Sequence, residues 1–565
     1  MVLNRNMRVF NFSIGSMCRG LSVLMLVNMF QNIQASRDEF NKSDYTFYIV
    51  SAGLCAFFAA YGIGANDLAN VFGTSVGSKS LSVKQAIVLA SIFEFSGAVL
   101  MGSNVNKTIR KGIADPGCFS DNPGLMIYGM TIVTLSVGIW LLLASYFEMP
   151  VSTTHSCIGG IIGMTLISRG HRCVIWNYSK NDYGNGTVNM GWENFPWLDG
   201  VSEIVISWVI SPIASGICAA FIYGTINLFI LRYENSYQRA KIGFPIIVFI
   251  TTALNASYFI IKGTNGQTER FGTSRLVREA KSGNLWPAIE VSLIFGGACS
   301  FLSMILLTNI IKKIDNKKYS NNPQNVDVED VNLDEMDCSI HGGGPTMAET
   351  GNVITSYVKN KLNRDVHKDL KTNKTVGNIH KNLKRHDART EEFFNSIQIF
   401  TACVDSFSHG SNDVSNAMGP FAAAWIAYNR GKVTKSADID SGTMMCILAL
   451  GGVGMILGLS TYGYKIINTI GTKLTAITPV RGSCIELGAA MVVIYGSGQG
   501  WPLSTTHAQI GATVAVGLFE GTSGVNWKLF AKTCFGWIFT LVFVGCSTAF
   551  LVGPSPEPLK GEYCS

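Results

Sequence analysis

Gly64-Ala65-Asn66-Asp67-Leu68-Ala69-Asn70 reappears 346 positions later as Gly410-Ser411-Asn412-Asp413-Val414-Ser415-Asn416. A second motif, Pro150-Val151-Ser152-Thr153-Thr154-His155, reappears 352 positions later as Pro502-Leu503-Ser504-Thr505-Thr506-His507. Two unlike polar motifs that recur in the same order, each set in apolar sequence, mark an internal duplication. The chain therefore reads as two related halves.

Outward from these motifs the sequence is too apolar for water. Of its 565 residues 47% are hydrophobic and only 14% are charged. Charge-free runs long enough to cross about 30 Å of hydrocarbon recur at 45–66, 123–147, 204–231, 291–311, 441–464 and 533–554. Shorter or interrupted runs at 85–106, 150–168, 242–261, 393–429 and 487–519 raise the expectation to about 10–12 transmembrane helices. The fold class expected is an all-α polytopic membrane protein. A net charge of +7 with no basic and aromatic patch argues against nucleic acid and fits Lys and Arg beside membrane spans. The fourteen cysteines show no metal-ligand spacing and define no redox compartment.

The expected organisation has five parts. Residues 1–44 form an amino-terminal segment in which Arg19, the apolar run Leu21 to Phe30 and Gln34-Ala35-Ser36 fit either a signal peptide or an anchor. Residues 45–311 are the first membrane half, 393–554 the second, and 555–565 a tail. Between the halves, 312–392 is hydrophilic, with Asn321-Asn322-Pro323 and Gly342-Gly343-Gly344, and is expected to be disordered. Lys312, Lys313, Lys317 and Lys318 flank its start and Lys384, Arg385 and Arg389 its end, which by the positive-inside tendency puts it in the cytosol. Asn41-Lys42-Ser43 is a glycosylation motif if that end faces outward.

Asp67 and Asp413 carry the chemistry of the first motif. A carboxylate at the centre of a spanning helix costs about 2.5–3.5 kcal/mol on insertion scales, so something must offset it. A bound cation does so directly, with Asn66, Asn70, Asn412 and Asn416 beside the aspartates as further oxygen donors. Gly62, Gly64 and Gly410 suggest locally unwound backbone, hence one broken helix per half. The alternative is that Asn and Asp only bond neighbouring helices together. Glu94 and Glu486, also among apolar neighbours, are candidate cation ligands or gates. Sliding the halves by 352 sets Glu486 opposite Thr134, so the two glutamates are not mates and the symmetry is approximate.

The second motif suits an anion. Proline favours the first turn of a helix, where backbone N–H groups are free, and Ser152, Thr153 and Thr154 with Ser504, Thr505 and Thr506 add hydroxyl donors. Two such starts, in re-entrant hairpins, would converge on one tetrahedral oxyanion; ordinary helix capping is the plainer reading. His155 and His507 would bind substrate, relay protons or bridge helices. Phosphate retains a proton at neutral pH and can donate it to Asp67 or Asp413, whereas sulfate has none to give. An unpaired buried acceptor costs about 1–3 kcal/mol, so this chemistry favours phosphate by about tenfold or more.

At these residues the chain resembles the inorganic phosphate transporter (PiT) family, whose two signatures are similar to Gly64 through Thr74 and Gly410 through Pro420. Ile109-Arg110-Lys111-Gly112-Ile113, Ile477-Thr478-Pro479 and both Ser-Thr-Thr-His segments add to the likeness, which spans both membrane halves but not the central loop. The resemblance implies two inverted repeats, a homodimer, and a sodium-dependent phosphate symporter. It implies phosphate among Asp67, Ser152, Thr153, Thr154, Asp413, Ser504, Thr505 and Thr506. It implies sodium at Asn66, Asp67, Asn70, Glu94, Asn412, Asp413, Asn416 and Glu486. Asp405 departs from the pattern, eight residues before Asp413 where a small neutral residue is expected; Ser411 in place of alanine is a milder departure.

The function expected is cation-coupled import of inorganic phosphate by alternating access, with sodium as coupling ion, no other cofactor, and the plasma membrane as location. Spacing does not separate sodium from proton coupling, or phosphate from sulfate, and an anion channel is a further rival. An enzyme is not expected: Ser, His and Asp occur, but without a Gly-x-Ser-x-Gly nucleophile elbow.

Overall fold

Backbone polar groups in hydrocarbon must be satisfied within the protein, and a helix satisfies them inside one segment. The computed structural model describes residues 41–177, 200–262, 285–315, 374–381, 383–434 and 438–553 and is helical nearly throughout. The first half comprises α1 (Lys42–Gly77), α2 (Val83–Met101), α3 (Ser103–Lys111), α4 (Pro123–Tyr146), α5 (Thr153–Arg169) and α6 (Gly200–Ile226). Then come α7 (Ser236–Lys262), α8 (Trp286–Asp315) and the short α9 (Lys374–Lys381). The second half comprises α10 (Ala388–Arg430), α11 (Ser441–Thr461), α12 (Tyr464–Asn468), α13 (Pro479–Gln499), α14 (Thr505–Gly517) and α15 (Trp527–Val552).

Among the described residues, eight helices are long and apolar enough to cross a membrane: α1, α2, α4, α6, α7, α8, α11 and α15. To these α10, of 43 residues, and α13, of 21, add two long helices whose buried faces are rich in polar groups. With 17 and 13 residues, α5 and α14 are shorter, α14 extending only about 20 Å. Each pairs with the helix before it as a hairpin: α4 turns at 147–152 into α5, and α13 at 500–504 into α14.

The two signature helices run antiparallel. Thr46 near the start of α1 shares a 3.1 Å hydrogen bond with Tyr428 near the end of α10. At the other end Ser78, just past α1, donates to Gln398 in the first turns of α10 at 2.6 Å. Matching local structure recurs in the halves. Isolated β-bridges join Ala114 to Val174 and Thr475 to Val525, each tying the entry of a hairpin to its exit. Outside the membrane helices, Arg110 and Lys111 pair with Asp438 at 2.9 and 3.0 Å, and Thr478 caps α13 with Pro479 in its first turn. The likeness at 109–113 and 477–479 thus falls on structural joints.

Three expectations change. The glycines do not break the signature helices, since α1 and α10 are continuous through them. They permit close packing instead: a Cβ on Gly64 would lie 2.0 Å from the Met455 carbonyl oxygen, and one on Gly410 2.1 Å from that of Glu94. Nor do Pro150 and Pro502 open helices, because α5 and α14 begin three residues later, after the caps Ser152 and Ser504. Finally, among the described residues two cysteines pair, Cys118 with Cys173, beside the Ala114 bridge.

The amino-terminal segment to residue 40, most of the central loop and the tail beyond residue 553 lie outside the described residues. Within the expected loop, α8 continues to Asp315, α9 covers 374–381, and α10 begins at Ala388.

Candidate functional site

Both aspartates are completely buried where α1 and α10 cross, and His409 joins them. Its Nε2 lies 3.0 Å from Asp413 Oδ2 and 3.7 Å from Asp67 Oδ2, and its Nδ1 lies 3.3 Å from Glu94 Oε1. Ligand atoms of Asp67, His409 and Asp413 fall within 4.8 Å of one another, a spacing that suits one ion. The oxygens suit a hard cation; the imidazole nitrogen does not, and acts as a charge partner to three carboxylates.

The half-helices aim at this point. Thr153 at the start of α5 donates to Asp413 Oδ1 at 3.2 Å, and Thr505 at the start of α14 donates to Asp413 Oδ2. Asn416 donates to Asp413 at 2.8 Å, as Asn70 does to Asp67 at 2.9 Å. The aspartates are nevertheless unequal: Asp413 is saturated with donors, while Asp67 Oδ2 accepts no hydrogen bond.

A two-fold pattern of bonds links the halves. Asn70 donates to Thr506 at 2.8 Å, and its mate Asn416 donates to Thr154 at 3.2 Å. Thr154 donates to the Leu503 carbonyl at 3.0 Å, and Thr506 to that of Val151 at 3.3 Å. Ser504 and Ser152 meet at 2.9 Å while each caps its own helix by accepting from the His155 or His507 amide. Every residue of both hydroxyl motifs therefore comes together, but in three tasks. Ser152 and Ser504 cap, Thr154 and Thr506 fasten one hairpin to the other, and Thr153 and Thr505 face the carboxylate.

Asn66 and Asn412 stand behind the site. Asn66 donates to Ser145 at 3.0 Å and the Met149 carbonyl at 3.1 Å and accepts from the Val151 amide, so its side chain already holds the hairpin turn. Asn412 repeats the two donations, to Ser497 and the Trp501 carbonyl at 3.0 and 3.3 Å. The histidines of the motif turn away and meet each other, ring centroids 4.6 Å apart. Trp208 of α6 meets His155 edge to face, ring centroids 3.6 Å apart, Trp537 of α15 lies tilted against His507 at 3.7 Å, and His507 Nδ1 lies 3.0 Å from the Trp208 carbonyl. That geometry suits a bridge between helices.

The two glutamates sit apart from each other. Glu94, on α2, faces His409. Glu486, on α13, accepts from Thr74 at 2.5 Å, Ser75 at 2.6 Å, Gln398 at 3.3 Å and Thr401 at 2.7 Å. Sequence reading missed His409, Thr401, Gln398, Thr74 and Ser75. A signal was present: aligned by the repeat, His409 stands opposite Ile63, Thr401 opposite Cys55 and Gln398 opposite Ala52, polar residues whose mates are apolar or nearly so.

An all-helical membrane bundle in which two duplicated halves bring buried carboxylates and hydroxyl-bearing helix starts to one centre defines a polytopic transport protein. A description of the phosphate transporter family matches residues 63–548, and the chain belongs to that family. It is 30% identical over 501 residues to the chloroplastic inorganic phosphate transporter 2-1 of Arabidopsis thaliana, covering 88% of this chain and 70% of that protein. It is 28% identical over 589 residues to the phosphate-repressible phosphate permease of Neurospora crassa, covering 90% and 97% of the two chains. A solved structure, the sodium-dependent phosphate transporter, superposes with a TM-score of 0.64 at 27% identity over 90% of this chain and 98% of that one. The chain is a phosphate transporter of this family and not an enzyme.

Proposed function

We propose that the chain imports inorganic phosphate together with sodium, by alternating access of two inverted repeats around the centre between Asp67 and Asp413. The observation that carries this reading is the placement of Asp413, fully buried, beneath Thr153 and Thr505 at the starts of α5 and α14, with the fully buried Asp67 across His409 from it. Sodium neutralises the carboxylates, and only then does a phosphate anion enter; release of either frees the other, which couples them. Antiparallel signature helices and the mated bonds of the two hairpins support the inverted relation. The similarity to a sodium-dependent phosphate transporter supports the choice of ion.

Asp67 Oδ2, an acceptor without a donor, favours a substrate that still carries a proton, and hence phosphate over sulfate. If more positive than negative charge enters per cycle, the membrane potential adds about 2.3 kcal/mol per net charge per 100 mV. The central loop lies in the cytosol of a plasma-membrane protein. Supporting this, α10 enters at the end of α1 marked by Ser78, whereas the disulfide lies by Ala114 at the end where Tyr45 packs on Gly124, and disulfides belong to oxidising compartments. The reading keeps the homodimer implied by family resemblance, measurable as mass by light scattering in detergent.

The test is uptake of labelled phosphate into proteoliposomes under an inward sodium gradient. Expected is accumulation that stops when choline replaces sodium and that excess sulfate does not suppress. Equal uptake in choline driven by a proton gradient would replace sodium with protons, and currents without coupled phosphate would replace the carrier with a channel.

A further inference from the structure

The joint at Arg110 and Lys111 holds more than a frame requires. The β-bridges at Ala114 and Thr475 align the halves there with a displacement of 475 − 114 = 361, which sets the start of α3 at Ser103 opposite the start of α12 at Tyr464. On that alignment Ser103, Asn106 and Arg110 have Tyr464, Ile467 and Gly471 as mates, and Lys107 and Lys111 have Asn468 and Thr472. The second half thus builds the same joint with no charge at any of these positions. Ile467 is buried there among apolar residues, and Gly471 packs on the backbone of Gly73 and Gly77. The charged, polar face of α3 is no requirement of the fold.

Helix α3 is used on three sides. Val105 and Ile109 are buried, and Ile109 lies against Gly419 of α10, where a Cβ would come within 2.6 Å of it. On a second side Thr108 meets the turn of the second hairpin, the one that leads to Thr505: a Cβ on Gly500 would be 3.1 Å from Thr108 Oγ1. Ser103, Asn106 and Arg110, at i, i+3 and i+7, share the third. Arg110, 5% exposed, and Lys111 beside it converge on a single oxygen, Asp438 Oδ1, at 2.9 and 3.0 Å. Arg430 donates to the Asp438 main-chain carbonyl at 3.2 Å. The Asp438 side chain itself is 63% exposed, so water competes for it and it is readily displaced.

An independent observation lies one turn beneath Arg110 on the same face. Asn106 is completely buried, and neither its amide nitrogen nor its amide oxygen has a hydrogen-bond partner. The Ser103 hydroxyl is unpartnered as well. Buried polar groups are nearly always paired, so an amide open at both ends marks room for a polar guest. Its nitrogen can donate to a phosphate oxygen and its oxygen can accept the proton that phosphate retains at neutral pH. Arginine and lysine are the side chains that hold phosphate oxygens, and a carboxylate oxygen between them stands where one oxygen of a tetrahedral anion fits. Lys107 and Lys432, both exposed, add positive potential at the same end.

We propose that Arg110 and Lys111, with Asn106 one turn beneath, form a second anion site at the mouth of the protein, which captures inorganic phosphate ahead of the centre and which Asp438 fills with its own carboxylate until phosphate displaces it. The site lies at the Tyr428 end of α10, and the import reading is what makes that end the one phosphate meets first. Capture there needs no sodium, because the holding groups are cations, whereas the centre presents two carboxylates that an anion approaches only once they are neutralised. An anionic lipid headgroup carries the same oxygens, so the probe is free phosphate with lipid as a separate arm.

The experiment measures equilibrium binding of labelled inorganic phosphate to the purified full-length protein in detergent, with choline in place of sodium. The proteins compared are wild type, Asp438→Ala, Asn106→Ala, and Asp438→Ala combined with Lys111→Ala, each shown to be folded by thermal melting; Asp438→Asn serves if the alanine variant does not fold. Removing a half-exposed competitor should tighten sodium-free binding about fivefold in Asp438→Ala. Adding Lys111→Ala should return it to the wild-type value or below, and Asn106→Ala should weaken it. In proteoliposomes the KM for phosphate should fall in Asp438→Ala. A mere structural ion pair predicts the opposite, a lower melting temperature with no gain in affinity, and sodium-free binding in folded Asp438→Ala equal to or weaker than wild type overturns the site. Binding of phosphatidic acid without binding of free phosphate overturns it too. Sodium-driven uptake with no tightening in Asp438→Ala removes only this site, whereas tightening in a protein whose uptake ignores sodium leaves the site standing and removes the sodium reading.

Discussion

Replacing Asp413 with asparagine probes the centre most sharply, because the structure says which bonds survive. Asp413 Oδ1 accepts from Thr153 at 3.2 Å and Asn416 at 2.8 Å, and an asparagine oxygen keeps both. Oδ2 accepts from Thr505 and stands 3.0 Å from His409 Nε2; an asparagine NH2 there meets donors with donors. The Thr505 bond to a charged acceptor is worth about 1.5–3 kcal/mol and the buried ion-pair contact with His409 at least as much, so their loss totals about 3–6 kcal/mol before relaxation. Rotation of the Thr505 hydroxyl recovers part of one, which leaves the lower end and a fall in sodium-dependent uptake efficiency of about 100-fold. Asp67→Asn should differ. Asp67 makes one close bond, to Asn70 at 2.9 Å, so the folded protein melts near the wild-type temperature while cation-dependent uptake is lost. The assay is initial uptake of labelled phosphate against sodium concentration, per mole of protein shown to be folded by thermal melting. Asp413→Asn within about threefold of wild type in uptake efficiency would refute the role given to these bonds.

Other consequences follow from packing and charge away from the centre. Gly64→Ala and Gly410→Ala each drive a methyl into a neighbouring carbonyl, and overpacking of about 1–3 kcal/mol should lower the melting temperature of both, measured by fluorescence in detergent. Removing the Cys118–Cys173 disulfide by double Ser substitution, which opens a loop with a sequence separation of 55, should cost about 2–4 kcal/mol and make wild-type stability sensitive to reductant where the variant is not. His386, in the segment before α10, is pulled down to about 4 by burial and then by the charges of Arg481 and Lys384. Unfolded, it takes up a proton below about 6.5, so its contribution is present at neutral pH and is lost as pH falls from about 6.5 to about 4. The melting temperature of His386→Gln should fall less over that window than that of wild type.

The fold was legible because duplication and hydropathy are properties of the chain alone. Asp67, Asp413 and the hydroxyl motifs could be found as polar residues recurring in apolar surroundings, and the structure gathers them at one place. What was not legible depended on helix pairing. Gly64 and Gly410 have two uses, unwinding a helix or admitting another backbone, and only the approach of Met455 and Glu94 selects the second. His409 lies next to a signature but has Ile63 as its mate, so a search for shared residues passes over it. The cage of Glu486 draws Thr74 and Ser75 from one half and Gln398, Thr401 and Glu486 from the other, an arrangement no spacing within a single segment encodes. Cys118 and Cys173 likewise meet only because α4 and α5 fold back on each other.

The claim that both halves serve one shared site is tested most directly by a structure of the full chain with phosphate and sodium bound. The account predicts oxyanion density touching both Thr153 and Thr505, with cation density against Asp67 and Asp413. Two separate anion densities, one on each hairpin, or phosphate held without contact to either threonine, would contradict it.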